Sequence, residues 1–226
     1  MMNQQPTMSS RSQERNAVTN FSASNLTRGD FAGVTAHKGQ FKGSALSGSD
    51  FAGANLTGST FKGSDVRAAN FDGANLTDCR LTALDLTNAS FNKTILVRTH
   101  IGSSLLEGAK FTGVRLTDVA LTMTDLRKTK FENCVFDGVD FKSSDLSGKR
   151  LDGLTFIGVK FEKAGLTDVS FKGAILKNVS FHPGFTLTKK YYRMIKTICF
   201  DGATMDKLTF AMLKGMDANL SNVTVI

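Results

Sequence analysis

The sequence predicts an all-β solenoid, on three regularities. Large apolar residues return every five positions, Phe41, Phe51, Phe61 and Phe71 alternating with Leu46, Leu56, Val66 and Leu76. A small residue stands two places before each, as at Ser44, Ser49, Ala54, Ser59, Ser64, Ala69 and Ala74. Finally, Ser24, Ser44, Ser64, Ser104 and Ser144 recur in one small position at multiples of twenty, as a hydroxyl ladder on one wall of a twenty-residue coil would. A period of five matches neither a helix, at about 3.6, nor a strand, at about 2. Self-similarity at a fixed period marks stacked repeats. Phenylalanines ten apart put aromatics on two opposite walls and mostly leucine on the other two. Coils about 4.8 Å apart let those rings stack in file.

Composition agrees with one domain and a substantial core. The chain has 226 residues, 41% of them hydrophobic and 21% charged, with 18 Phe, 21 Gly, 2 Pro and no Trp. No stretch approaches the roughly 18 apolar residues of a membrane helix. The opening MMNQQPTMSSRSQERNA carries no apolar signal core, and the three cysteines are scattered, which together predict a cytoplasmic protein. The net charge of +8 is spread along the chain rather than gathered in a patch.

Residues 1–16 are polar and read as a disordered tail. From Val18 and Phe21 the register runs unbroken to Phe181, defining a repeat domain over 17–181. Its expected structural core includes Phe41, Phe51, Phe61, Phe71, Phe91, Phe111, Phe131 and Phe141. At 182–199 the register gives way to His182-Pro183-Gly184 and an amphipathic helix over 185–198, with Leu187, Tyr191, Met194, Ile195 and Ile198 on one face. A terminal coil is expected over 200–226, with Phe200, Met205, Phe210, Leu220 and Val225 as large residues and Leu208 and Leu213 at the second inward position. That coil has no polar cap and predicts a homodimer through 200–226. Lys149 falls on an inward small position, where a charge is expensive, so a bulge at Gly148 is expected to swing it to solvent.

Residues Ala54-Asn55-Leu56-Thr57-Gly58 and Ala74-Asn75-Leu76-Thr77-Asp78 match the A(D/N)LXX consensus of the pentapeptide-repeat family, which this chain resembles over roughly 17–181. The resemblance implies a right-handed quadrilateral β-helix, with four pentapeptides to each square coil. The relatives it brings to mind are the quinolone-resistance and topoisomerase-poison immunity proteins. They imply a DNA mimic that binds a type II topoisomerase such as DNA gyrase and protects it. A general protein-binding scaffold, or a secreted bacterial effector whose Ser/Gln-rich tail directs export, is the alternative.

No catalytic motif appears, so neither an enzyme nor a cofactor is expected. His37, His100 and His182 face outward and apart in the register, and no metal site is expected. Cys79 and Cys134 replace alanine inside the coil and read as inert thiols. Asp65, Asp85, Asp125 and Asp145 share one outward column, the candidate acidic surface for a partner, with Arg67, Arg127 and Lys128 on the same wall. Lys42, Lys62, Arg80, Lys142, Lys160 and Lys163 make the most basic face, but without interleaved aromatics direct nucleic-acid binding is not expected. Ile95, Val97, Val135, Ile157 and Ile175 point outward together and form a candidate apolar interface, to be covered by the 185–198 helix or by a partner chain.

Overall fold

A large apolar residue at every fifth position can leave water only if the chain turns a corner after each and brings them all to one axis. The computed structural model, which describes residues 19–184 and 188–226, shows that arrangement. The chain is a right-handed quadrilateral β-helix of parallel pairings. Each rung meets the residue twenty positions on: Phe41 pairs with Phe61, Phe61 with Leu81 and Leu81 with Ile101. The four walls are named here by their residues in one coil: Phe41, Leu46, Phe51 and Leu56. The Phe41 wall holds a five-stranded sheet and the Leu56 wall a seven-stranded one, running from Leu96–Val97 to Thr224–Val225. The Leu46 wall is built of isolated bridges, among them Asp65 to Asp85 and Asp125 to Asp145.

Between walls the backbone needs a left-handed residue. Gly43 and Gly53 supply it, with φ of 64° and 63° and no atom within 4 Å of where a Cβ would stand.

Inside, rings stack within a wall and meet edge-on between walls. Phe41 lies 4.4 Å from Phe61 with the rings 3° from parallel, and Phe51 meets Phe61 at 5.8 Å and 87°. The eight expected core phenylalanines are buried. The small position is commonly Ser, Thr or Cys because its hydroxyl or thiol finds a carbonyl one coil back. Ser64 Oγ donates to the Phe41 carbonyl at 2.6 Å, Thr99 Oγ1 to Leu76 at 2.7 Å and Cys79 Sγ to Leu56 at 2.9 Å.

After Phe181 the helix α1 spans Lys189–Thr197, with Tyr191 and Ile195 buried. Val18, Leu187 and the expected 1–16 tail lie outside the described residues. The twenty-residue step becomes twenty-nine across this insertion, where Leu176 pairs with Met205, and returns to twenty where Met205 pairs with Val225.

Three expectations are corrected. The terminal segment is not an uninterrupted coil: Leu208, Phe210 and Leu213 belong to a second helix, α2, over Lys207–Gly215. Asp206 caps it by accepting from the N–H groups of Leu208 and Thr209, and the good helix formers that follow outweigh the five-residue count. The coil end is therefore partly covered, with Thr209, Leu213 and Met216 buried. Second, α1 does not cover the apolar residues of the Leu56 wall. It docks on the Leu46 wall, where Thr197 Oγ1 accepts from Asp168 N–H at 2.8 Å and Met194 Sδ from Leu166 N–H at 3.4 Å. Third, Lys149 does not swing out. It stays inside at 8% exposure, and the wall above it parts instead.

Candidate functional site

On the Leu46 wall the carboxylates come into one column, as the register requires. Each has a local task. Where the residue before a large one is Asp or Asn, its side-chain oxygen accepts the N–H two residues on. Asp65 takes Arg67 N–H at 3.1 Å, Asp85 takes Thr87 at 3.0 Å, Asp125 takes Arg127 at 3.0 Å and Asp145 takes Ser147 at 2.9 Å. Asn75 does the same for Thr77 at 3.0 Å, which is why either Asp or Asn serves there.

Two arginines then offset half the charge of the column. Arg67 lies 2.6 Å from Asp65 and 3.7 Å from Asp85, and Arg127 lies 2.6 Å from Asp125 and 3.5 Å from Asp145. The side-chain hydrogen bond from Arg67 holds the Asp65 carboxyl below the usual carboxylate range, and Arg127 does so for Asp125. Leu105, 60% exposed, interrupts the column between Asp85 and Asp125. The surface is thus two Asp–Arg–Asp clusters separated by an apolar rung.

On the Leu56 wall, Ile95 and Ile175 are 47% and 38% exposed, and Val97, Val135 and Ile157 are half-buried. They lie along the seven-stranded sheet, the longest among the described residues, in which Val135 sits between Arg115 and Thr155. Arg115 pairs with Asp137 at 2.5 Å, so the apolar residues flank one ion pair rather than forming an unbroken strip.

Two features escaped the five-residue count. A groove of about 580 Å³ runs between α1 and the Leu46 wall, lined by Asp145, Lys163, Tyr191, Arg193 and Met194. It depends on where the helix docks, for which the sequence carries no signal. The second is the opening at Lys149, whose misplaced charge is visible in the sequence while its consequence is not.

Other reactive groups are subdued. Burial pushes the Cys79 thiol up to about 12 and raises Cys134 also. His100 is half-buried against Thr122, 3.2 Å away, and burial together with Arg80 lowers its pKa. Among the described residues no group of three His, Cys, Asp or Glu could hold a metal ion. Nor among the described residues is any helix long and apolar enough to cross a membrane.

The family described as pentapeptide repeat region matches residues 34–111, and pentapeptide repeats in 8 copies match 94–133 and 134–173. Among solved structures, a trypsin-treated form of QnrB1, a plasmid-mediated fluoroquinolone resistance protein, is similar with a TM-score of 0.67 and 17% identity, covering 88% of this chain and 96% of that one. HetL, a pentapeptide repeat protein involved in heterocyst differentiation regulation in the cyanobacterium Nostoc sp. strain PCC 7120, is similar with a TM-score of 0.54 and 20% identity, covering 83% and 90%. The comparison with curated proteins found no match.

Proposed function

The chain belongs to the pentapeptide-repeat family, and on that premise we propose that it is a rigid scaffold presenting its Leu56 wall to a protein partner. The observation that carries this is the set Ile95, Val97, Val135, Ile157 and Ile175, which no other described segment covers on the longest continuous sheet while α1 docks elsewhere. Apolar residues grouped on a regular outer face favour a docking partner. Replacing Ile95 and Ile175 by glutamate preserves the core and places charge in that face. Photo-crosslinking from position 157 in host cells should give one discrete adduct that disappears with the double glutamate variant. An adduct unchanged by the variant would refute this face.

The finer proposal is that the partner is a type II topoisomerase, shielded from a poison. Its support is the likeness of fold to a fluoroquinolone resistance protein over most of both chains. Mimicry of DNA by Asp65, Asp85, Asp125 and Asp145 would need a negative field, and Arg67 and Arg127 oppose one. Screening within about 8 Å weakens what remains. Gyrase supercoiling with a fluoroquinolone separates the possibilities. Protection lost when the four aspartates become asparagine supports mimicry, and protection lost only with Ile95→Glu and Ile175→Glu supports the apolar wall. No protection by the wild-type protein rejects the topoisomerase and leaves the scaffold.

The homodimer is proposed through the edge of Thr224–Val225, where Val225 and Ile226 are 40% and 54% exposed. Light scattering at tens of micromolar should show a dimer that Val225→Lys dissociates. A monomer at that concentration would refute it.

A further inference from the structure

The slot two places before each large residue is mostly small and otherwise apolar, reaching the size of Leu84 and Leu154 on other walls. Along the Phe51 wall it is filled by Ser49, Ala69, Ala89, Ala109 and Thr129, and then by Lys149. Four methylenes and an ammonium do not fit. The rung on the C-terminal side survives: Lys149 N–H donates to the Leu146 carbonyl at 2.9 Å, and Ser170 N–H to the Lys149 carbonyl at 2.8 Å. The rung on the N-terminal side is parted. Two coils earlier, Phe91 N–H donates to Lys110 at 2.8 Å and Lys93 N–H to Thr112 at 3.0 Å. The equivalent donors, Phe131 and Asn133, find no backbone acceptor among the described residues, nor does Arg150 N–H. The bridges of this wall accordingly run from 30 to 130 and resume at 150.

The Lys149 ammonium sits in this break, 5.5 Å from the centre of the Phe131 ring. The residue is 8% exposed, and no carboxylate among the described residues pairs with it. Around it the opening measures about 250 Å³ and is lined by Arg127, Lys130, Glu132 and Arg150. Arg127 is held by Asp125 and Asp145, and Arg150 by Asp152 at 2.7 Å. Among the described residues Lys130 carries no ion pair, and Glu132 is the one acid on the rim. A water takes about 30 Å³ of liquid, so there is room for a small ion and its hydration.

A largely desolvated cation without a counter-charge is unfavourable, and so is a peptide N–H without an acceptor. One anion satisfies both. We propose that the seam between Phe131 and Arg150 is an anion-binding site, in which an oxyanion pairs with the Lys149 ammonium and accepts from the peptide N–H groups freed by the parted rung. Charge-assisted bonds to an ammonium and to clustered N–H groups are the chemistry that holds phosphate and carboxylate elsewhere in proteins. The oxyanion is either free in solution or carried on an acidic side chain of a protein, and the chemistry at the seam is the same.

The test is acylation of lysines by an N-hydroxysuccinimide ester, read by mass spectrometry on the intact wild-type chain. Inorganic phosphate and hexaglutamate are titrated separately against sodium chloride of matched ionic strength. Saturable, several-fold protection of Lys149, with Lys189 on α1 unaffected, is expected. Protection by phosphate identifies a free oxyanion, and protection by hexaglutamate alone identifies a carboxylate carried on protein. Phosphate should also raise the melting temperature of the wild type and not of Lys149→Met. Labelling of Lys149 indifferent to both probes, or an equal thermal shift in Lys149→Met, overturns the proposal. Should Lys149→Met fail to fold, the footprint decides alone.

Discussion

At the residue scale the molecule separates inward from outward positions sharply. Phe111 is fully enclosed, with its ring 4.5 Å from Phe91 and 5.2 Å from Phe131. Phe111→Ala should cost about 3–5 kcal/mol, whereas Thr112→Ala, outside, should cost under about 0.5 kcal/mol, both read from urea melts. Lys149 makes a second residue-scale prediction. Burial lowers its pKa from the ordinary 10.5 to about 8. Between those values the unfolded chain binds a proton that the folded chain has released, so this residue's contribution to stability rises with pH from about 8 and levels off near 10.5. Below about 8 the cost of the buried charge is fully present. Cys79 and Tyr191 work in the opposite sense, because burial raises both to about 12 and their contributions fall once the unfolded thiol and phenol ionise. The difference in stability between wild type and Lys149→Met isolates the lysine, and should narrow as pH rises in oxyanion-free buffer. The rim charges Arg127, Lys130, Glu132 and Arg150 are common to both proteins.

At the scale of elements, the two helices replace strands and satisfy donors that the next coil would otherwise take. Asp206 both caps α2 and accepts from Asn178 N–H, while Thr209 Oγ1 accepts from Val179 N–H at 3.0 Å. Burial acts against its ionisation, but the N–H groups of Thr209 and Asn178 prevail and hold the carboxyl at about 2. Its contribution is therefore present above the ordinary 3.8 and is lost as pH falls toward 2. Asp206→Ala should cost about 1–2 kcal/mol at neutral pH, a cap's usual range, and should shrink the acid-induced loss. Hydrogen exchange should quicken first at Asn178 and Val179. Unchanged exchange at those two amides would contradict the capping role.

At the scale of the whole molecule, each coil rests only on its neighbours, so stability is passed along the rod rung by rung. The parted rung at Phe131 is then the weakest transverse joint. Amides of Phe131 and Asn133 should exchange much faster than those of Phe91 and Lys93, which hold their ladder bonds. Lys149→Ala, whose side chain fits the slot, should close the rung and slow them. Protection at Phe131 equal to that at Phe91 in the wild type would contradict a break in the rod.

The sequence alone determined the coil, because a side chain every five residues has one way to reach a common axis and the small position before it leaves room for one carbonyl-seeking hydroxyl. It also determined the columns: Asp65 above Asp85 and Val135 beside Thr155 follow from a fixed step of twenty. What it left open depends on contacts between segments far apart in the chain. The partner of α1 was decided by the donors of Leu166 and Asp168, which offered Met194 and Thr197 an edge that the Leu56 wall did not. Residues 207–215 keep some apolar residues in count, and their helix formers, the cap at Asp206, its bond from Asn178 N–H and that of Thr209 from Val179 N–H together decided for helix. The aspartate column was legible as a line of charge but not as one half offset by bridging arginines, since the reach of Arg67 and Arg127 across two rungs is a matter of side-chain geometry. Lys149 showed in the sequence as a misfit, and the tertiary structure decided that the ladder yields rather than the side chain, leaving a largely buried lysine beside peptide donors unpaired among the described residues.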